Sequence, residues 1–207
     1  MIRHLLLSFT LLLAALGGSA ATSDDARTML DKAVTRLSSA KSVKAAYTVS
    51  IKGKGGSANG NLLMASDKFT ATLGDITTWY DGTTQWTYAP ANNEVTIIEP
   101  TPDELVQSNP LAIIRSLRSG YKATVAKSAP GTRTIRLTPV GKGGEYKQVA
   151  VTLTASTLLP SSIVATLADG NVMTIHISSI TTGGAVADST FKFDRTKHSK
   201  ARLNDMR

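Results

Sequence analysis

Trp79-Tyr80-Asp81-Gly82-Thr83-Thr84-Gln85-Trp86-Thr87-Tyr88-Ala89-Pro90, followed by Asn92-Asn93-Glu94-Val95-Thr96-Ile97, carries both tryptophans of the chain. Asp81-Gly82 is a tight-turn signal between two short runs rich in Thr, Trp and Tyr, residues that suit a pleated, half-buried surface. The segment therefore reads as a hairpin, and it has no catalytic pattern. Similar short runs continue on both sides. In 43–51 the period is two: Val43, Ala45, Tyr47, Val49 and Ile51 point one way, and Lys44, Ala46, Thr48, Ser50 and Lys52 the other. Gly53-Lys54-Gly55-Gly56 supplies a turn, and strands are expected at 61–65, 68–73, 76–80, 84–88 and 95–99.

Helical patterns flank this set. Thr22 and Asp25 are spaced as a capping box, and Ala26, Met29, Leu30, Ala33, Val34 and Leu37 follow as one apolar stripe. Within 101–117 there are two helix starts, Thr101-Pro102 with Pro at the first helical position and Asn109-Pro110 with Asn as cap. Leu111, Ile114 and Leu117 then share a face. Strands resume at 121–127, 132–138, 145–154, 160–167 and 171–180, with Asp169-Gly170 as a second tight turn. About eleven short strands at regular spacing indicate a barrel or a wrapped sheet.

The amino terminus reads as an export signal. Arg3 precedes a mostly apolar run, Leu5 to Leu16, and the small residues Gly17 to Ala21, so residues 1–20 are expected to be a cleaved signal peptide. Residues 21–207 are then expected to form one soluble domain in the periplasm. Cysteine is absent, which excludes disulfides, thiolate metal sites and a lipid-modified Cys. The net charge is +8, about +7 once Arg3 is removed. The basic residues are scattered, concentrating only at Arg195, Lys197, Lys200, Arg202 and Arg207, whereas nucleic-acid binding needs a coherent basic face. Acidic partners or anionic headgroups suit an exported basic chain better, and the 195–207 stretch reads as a solvated tail, with contact to a membrane partner as the alternative.

Enzymatic readings lack support. His4 lies in the signal, His176 in an alternating strand and His198 in the basic tail, with no spacing for a metal site or a base. Asp103-Glu104 reads as a dipole-stabilising first turn rather than as paired catalytic acids. Gly53-Lys54-Gly55-Gly56 and Gly141-Lys142-Gly143-Gly144 lack the strand, spacing and helix of a phosphate loop. No cofactor, metal or catalytic residue is expected.

The hairpin, with its DG, W, Y and P positions, resembles the pattern of the periplasmic outer-membrane lipoprotein carrier (LolA-like) family, with Asn93-Glu94 where that family often has an acidic residue and Gln. The chain is also similar to it in Asn109-Pro110-Leu111, in Leu159-Pro160 and in the run from Val186 to Phe193. The resemblance implies a mainly β fold with helices: an incomplete, half-open antiparallel β-barrel of about eleven strands, an N-terminal helix, and a helical lid over an apolar cavity. It also implies a monomeric carrier that takes acylated lipoproteins from an inner-membrane release complex and passes them to an outer-membrane acceptor, down a ladder of affinities. One departure concerns the lid. Where the family carries Arg-Pro to latch it, this chain reads Met64-Ala65-Ser66-Asp67-Lys68-Phe69, and Lys68 offers a donor without the guanidinium fork.

Candidate acyl-chain contacts are Val49, Leu62, Met64, Phe69, Leu73, Trp79, Trp86 and Tyr88 from the sheet and Leu111, Ile114 and Leu117 from the lid, which is expected to open around 111–117. Ile114→Asp is accordingly expected to weaken cargo binding and to leave the sheet intact. The alternatives are an envelope lipid-sensing regulatory module, or an exported β-rich binding or adhesion protein without lipid cargo.

Overall fold

A computed structural model describes residues 23–141 and 144–207. The expected signal segment and the Thr22 cap lie outside these residues, as do Lys142 and Gly143. Helix α1 (Ser23–Ser39) buries Ala26, Leu30, Ala33, Val34 and Leu37, with Asp24 and Asp25 in its first turn and Arg36 in its last, each favourably placed in the helix dipole. Strands β1 (Ser42–Ile51), β2 (Ser57–Ala65), β3 (Lys68–Leu73), β4 (Ile76–Tyr80), β5 (Gln85–Ala89) and β6 (Glu94–Ile98) follow. After them come the short helices α2 (Pro102–Ser108) and α3 (Ala112–Ser116), then β7 (Tyr121–Ala126), β8 (Thr132–Pro139), β9 (Tyr146–Thr154), β10 (Pro160–Leu167), β11 (Val172–Gly183) and β12 (Arg202–Asp205).

The described strands form one sheet in the order β12-β6-β5-β4-β3-β2-β1-β11-β10-β9-β8-β7. β1 sits mid-sheet between β2 and β11, and the outermost strands do not join, so the sheet is open rather than a closed barrel. The twelfth strand, β12, has no counterpart among the strands expected from sequence. It pairs parallel with β6, Arg202 opposite Glu94 and Asp205 opposite Ile97. The basic tail is therefore docked on the sheet through β12, while its side chains other than those of His198 and Ala201 remain exposed. Arg202 forms an ion pair with Glu94, and Asn93 Nδ2 donates to the Lys200 carbonyl at 3.0 Å.

Turn chemistry follows the residues. Gly53, Gly82 and Gly170 have φ of 83°, 104° and 91°, and Asp81 Oδ1 accepts from the amides of Thr83 and Thr84. Thr101 and Glu104 close a capping box at α2. Asn109 Oδ1 accepts from Leu111 N at 3.0 Å, an Asx turn between the two helices rather than a cap on α3. Gly60 is required by contact. A Cβ there would lie 2.4 Å from both the Thr72 carbonyl and the ring of Tyr47, which covers it.

Among the described residues two apolar clusters result. The larger joins α1, α3 and the inner face of the sheet; within it Ile135, Leu137, Val149, Val151, Leu153, Ile163 and Ala165 are fully buried. The smaller lies on the opposite face, where Val95, Ile97 and Ala201 pack with Trp86, Tyr88 and Phe193.

Candidate functional site

The inner face and the helical segment border a partly open cavity of about 460 Å³. Alternation places Tyr47 and Val49 of β1, Ala71 and Leu73 of β3, Thr78 of β4, Thr87 of β5, and Met173 and Ile175 of β11 on its wall, with Ile76 at the start of β4. Val106, Gln107 and Ser108 of α2, with Pro110 and Ile113, cover another side, and Glu145, Tyr146 and Leu167 complete it. That strands from both halves of the sheet reach one cavity shows how strongly the sheet curls. Glu145 is the one charged residue among this lining and is exposed. The cavity wall is mainly apolar, and its polar groups are in part mutually engaged: Thr78 Oγ1 and Thr87 Oγ1 are 3.4 Å apart.

The expected contact residues divide into four groups. Val49 and Leu73 line this cavity. Met64, Phe69, Leu111 and Ile114 border a separate void of about 100 Å³ between α1, the helical segment and β2 to β4, and Leu62 and Leu117 are packed in the core. Trp79, Trp86 and Tyr88 are a correction: they face away from the cavity. On β4 and β5 it is Thr78, Tyr80, Gln85 and Thr87 that turn inward, so the aromatic residues between them turn outward. There the C-terminal segment covers them. The His198 ring lies 4.4 Å from Tyr88, 5.9 Å from Trp79 and 5.3 Å from Phe193. Tyr47, Ala71, Met173 and Ile175 join the wall without having been candidates, although Tyr47 shares the alternating face of Val49 and could have been found by it.

Leu111, Ile114 and Leu117 are 3%, 0% and 0% exposed and face the core, and the cavity is covered by Val106, Gln107 and Ser108 of α2 together with Pro110 and Ile113. Lys68 does not reach the helices; its Nζ lies 2.9 Å from Asp188 Oδ2, in a 3-10 turn (Asp188–Phe191). That hydrogen bond raises the Lys68 pKa and lowers that of Asp188. A guanidinium tie exists elsewhere. Arg27 of α1 donates to the carbonyls of Arg118, at 2.8 Å, and Tyr121, and Arg118 Nε lies 3.0 Å from Asp31 Oδ1. The planar fork of Arg27 satisfies carbonyls at the end of the helical segment and ties it to α1.

The wall also sets a pH response. Tyr47 is 4% exposed, its hydroxyl donates to the Thr72 carbonyl at 2.9 Å, and burial pushes its pKa up to about 12. Burial raises the Tyr146 pKa as well. An unfolded tyrosine ionises near pH 10, so between about 10 and 12 the unfolded chain releases a proton that the folded chain retains. Tyr47's contribution is complete below about pH 10 and is lost as pH rises through 12, a decline of about 2 to 3 kcal/mol. Urea midpoints measured from pH 9 to 12 are expected to fall accordingly, and Tyr47→Phe to flatten the fall. An unchanged slope in that variant would remove Tyr47 from the account.

Comparison with known proteins places this architecture. No curated protein matches the sequence. Among solved structures, an uncharacterized conserved protein from Thermus thermophilus superposes with a TM-score of 0.59 at 10% identity, covering 87% of this chain and 98% of that one. The Mycobacterium tuberculosis lipoprotein LppX gives a TM-score of 0.48 at 15% identity, with 80% and 100% covered. A LolA superfamily protein from Nitrosomonas europaea gives 0.43 at 13%, with 82% and 98% covered. The first of these likenesses supports the fold, and it is the sequence profile that assigns the family. The profile described as outer membrane lipoprotein carrier protein LolA matches residues 16–170, and the chain belongs to that family.

Proposed function

We propose that this chain is a periplasmic lipoprotein carrier, which shields lipoprotein acyl chains in its cavity and delivers them toward the outer membrane. The observation that carries the reading is the apolar cavity of about 460 Å³ between the inner face of the sheet and α2, in a chain of the LolA family. Each methylene buried there contributes about 0.8 kcal/mol, so one long acyl chain is held by roughly 10 kcal/mol before the costs of association. Release then requires an acceptor that binds the cargo more tightly, which suits a relay from an inner-membrane release complex to an outer-membrane acceptor. Admission of cargo is assigned to movement of α2, because Ile113 and Ile114 of α3 and Leu117 are packed in the core and the carbonyls of Leu117 and Arg118 just after α3 are tied to α1 through Arg27.

Native mass spectrometry of residues 21–207 with a purified triacylated lipoprotein, and separately with its unacylated form, tests the proposal. A complex with the acylated form alone is expected. Absence of a complex with either would overturn the carrier reading and favour a lipid-sensing module or a β-rich binding protein without lipid cargo.

A further inference from the structure

The inner face changes character across the sheet. On β4 and β5 the inward positions are Thr78, Tyr80, Gln85 and Thr87, while the wall supplied by β1 and β11 is apolar at Val49, Met173 and Ile175. Gln85 is 5% exposed, yet its Oε1 is the one buried side-chain polar atom among the described residues without a hydrogen-bond partner. The nitrogen of the same amide is weakly engaged. Gln85 Nε2 lies 3.4 Å from Thr87 Oγ1, which in turn lies 3.4 Å from Thr78 Oγ1, and both distances are long for hydrogen bonds. Three polar side chains on adjacent strands thus form a chain that ends on an unpaired oxygen. Such an oxygen is destabilising, so a group that satisfies it is bound with extra favour.

Its position points to the cavity. Gln85 pairs across the ladder with Tyr80, which borders the void of about 100 Å³, and stands two residues from Thr87, on the wall of the larger cavity. The amide therefore lies between the two hollow regions, next to the paired threonines of the larger one. Of the groups that a lipid can present, a hydroxyl fits best. It donates to the Gln85 oxygen and accepts from a threonine hydroxyl at the same time, whereas a carbonyl cannot donate and a charged group would be buried among these neutral side chains without a counter-ion.

We propose that Gln85, Thr78 and Thr87 form a hydrogen-bonding subsite for a hydroxyl group of the bound lipid, so that the cavity prefers hydroxylated lipids over those that carry none. The proposal rests on the carrier reading for its location and adds the chemistry of the ligand. The hydroxyl comes either from a hydroxylated acyl chain or from the glycerol beside its ester, and both offer the same donor and acceptor.

The test is native mass spectrometry of residues 21–207 with equimolar lipid pairs below their micellar concentrations. One pair, palmitate and 3-hydroxypalmitate, places the hydroxyl on the chain; the other, palmitoyl lysophosphatidylcholine and its 2-O-methyl ether, places it on the glycerol. The hydroxylated member of at least one pair is expected to be bound in excess by about threefold or more, the gain from a net hydrogen bond, and the pair that shows it names the source. Parity in both pairs would overturn the subsite and leave the carrier reading in place. Binding of none of these lipids would overturn the two together. Gln85→Met, which keeps the length of the side chain and removes the amide, is expected to bring the preference to parity and to hold or raise the urea midpoint, because a buried unpaired oxygen is lost. A preference that survives in this variant would overturn the role of Gln85. If the variant does not fold, Thr78→Val, which keeps the shape of the side chain and removes one hydroxyl, makes the same comparison.

Discussion

Ile114→Asp is expected to destabilise the whole protein by about 5 kcal/mol or more, rather than to weaken cargo binding selectively. Ile114 is fully buried in α3, in one cluster with the stripe of α1 and the inner face of the sheet. Removing the branched side chain costs about 2 to 5 kcal/mol, and the carboxylate that replaces it enters an apolar site, at a cost of several kcal/mol more unless it takes up a proton. Against a total of about 5 to 15 kcal/mol the variant sits at the edge of folding. Its urea transition is expected to move far toward zero denaturant, with loss of β circular dichroism at room temperature. A midpoint within a few tenths molar of the parent would mean that α3 is a detachable lid after all. The cover is probed better through α2, whose Gln107 is exposed and touches the cavity without belonging to the core.

The contrast between α3 and its sequence reading shows where local pattern stops being informative. Strands 68–73, 76–80 and 160–167 are found with the expected bounds, because Gly, Asp and Pro mark their ends and the alternation within them is strong. A shared apolar face on 111–117 is equally visible, but the spacing is the same whether that face lines a ligand site or is packed for good. The tryptophan hairpin shows the same limit on a sheet. Alternation separates Trp79, Trp86 and Tyr88 from Thr78, Gln85 and Thr87, yet assigning the aromatics to the inside assumes that only one face is covered. The cover of the other face comes from about a hundred residues further on, in a stretch whose charge suggests solvent. β12, with the sequence Arg-Leu-Asn-Asp, has no apolar alternation of its own and takes its conformation from pairing with β6. The tie made by Arg27 is equally hidden, since a helical arginine beside an apolar stripe gives no sign of which carbonyls lie across from it.

That second cover leads to the other large effect: deletion of residues 194–207 is expected to cost about 3 to 5 kcal/mol and to leave the cavity unchanged. The deletion removes the His198 ring from its contacts with Trp79, Tyr88 and Phe193, and it removes Ala201, which is 3% exposed against Val95 and Ile97. Each aromatic contact contributes about 0.5 to 1.5 kcal/mol beyond its buried area, and the buried apolar surface adds to that. Loss of β12 also turns β6 into an edge strand with unpaired backbone groups beside the newly uncovered Trp86 and Tyr88, a combination that promotes association between chains. Tryptophan emission is expected to shift to the red, since both tryptophans lie on this face, and the truncated chain is expected to aggregate on heating before it unfolds cooperatively. Binding of palmitoyl lysophosphatidylcholine at low temperature is expected to persist, because no residue of 194–207 lines the cavity. Unchanged emission would mean that the tail does not cover the tryptophans in solution. Loss of lysolipid binding with the fold intact would mean that the two faces of the sheet act as one unit rather than as a binding face and a separately covered one.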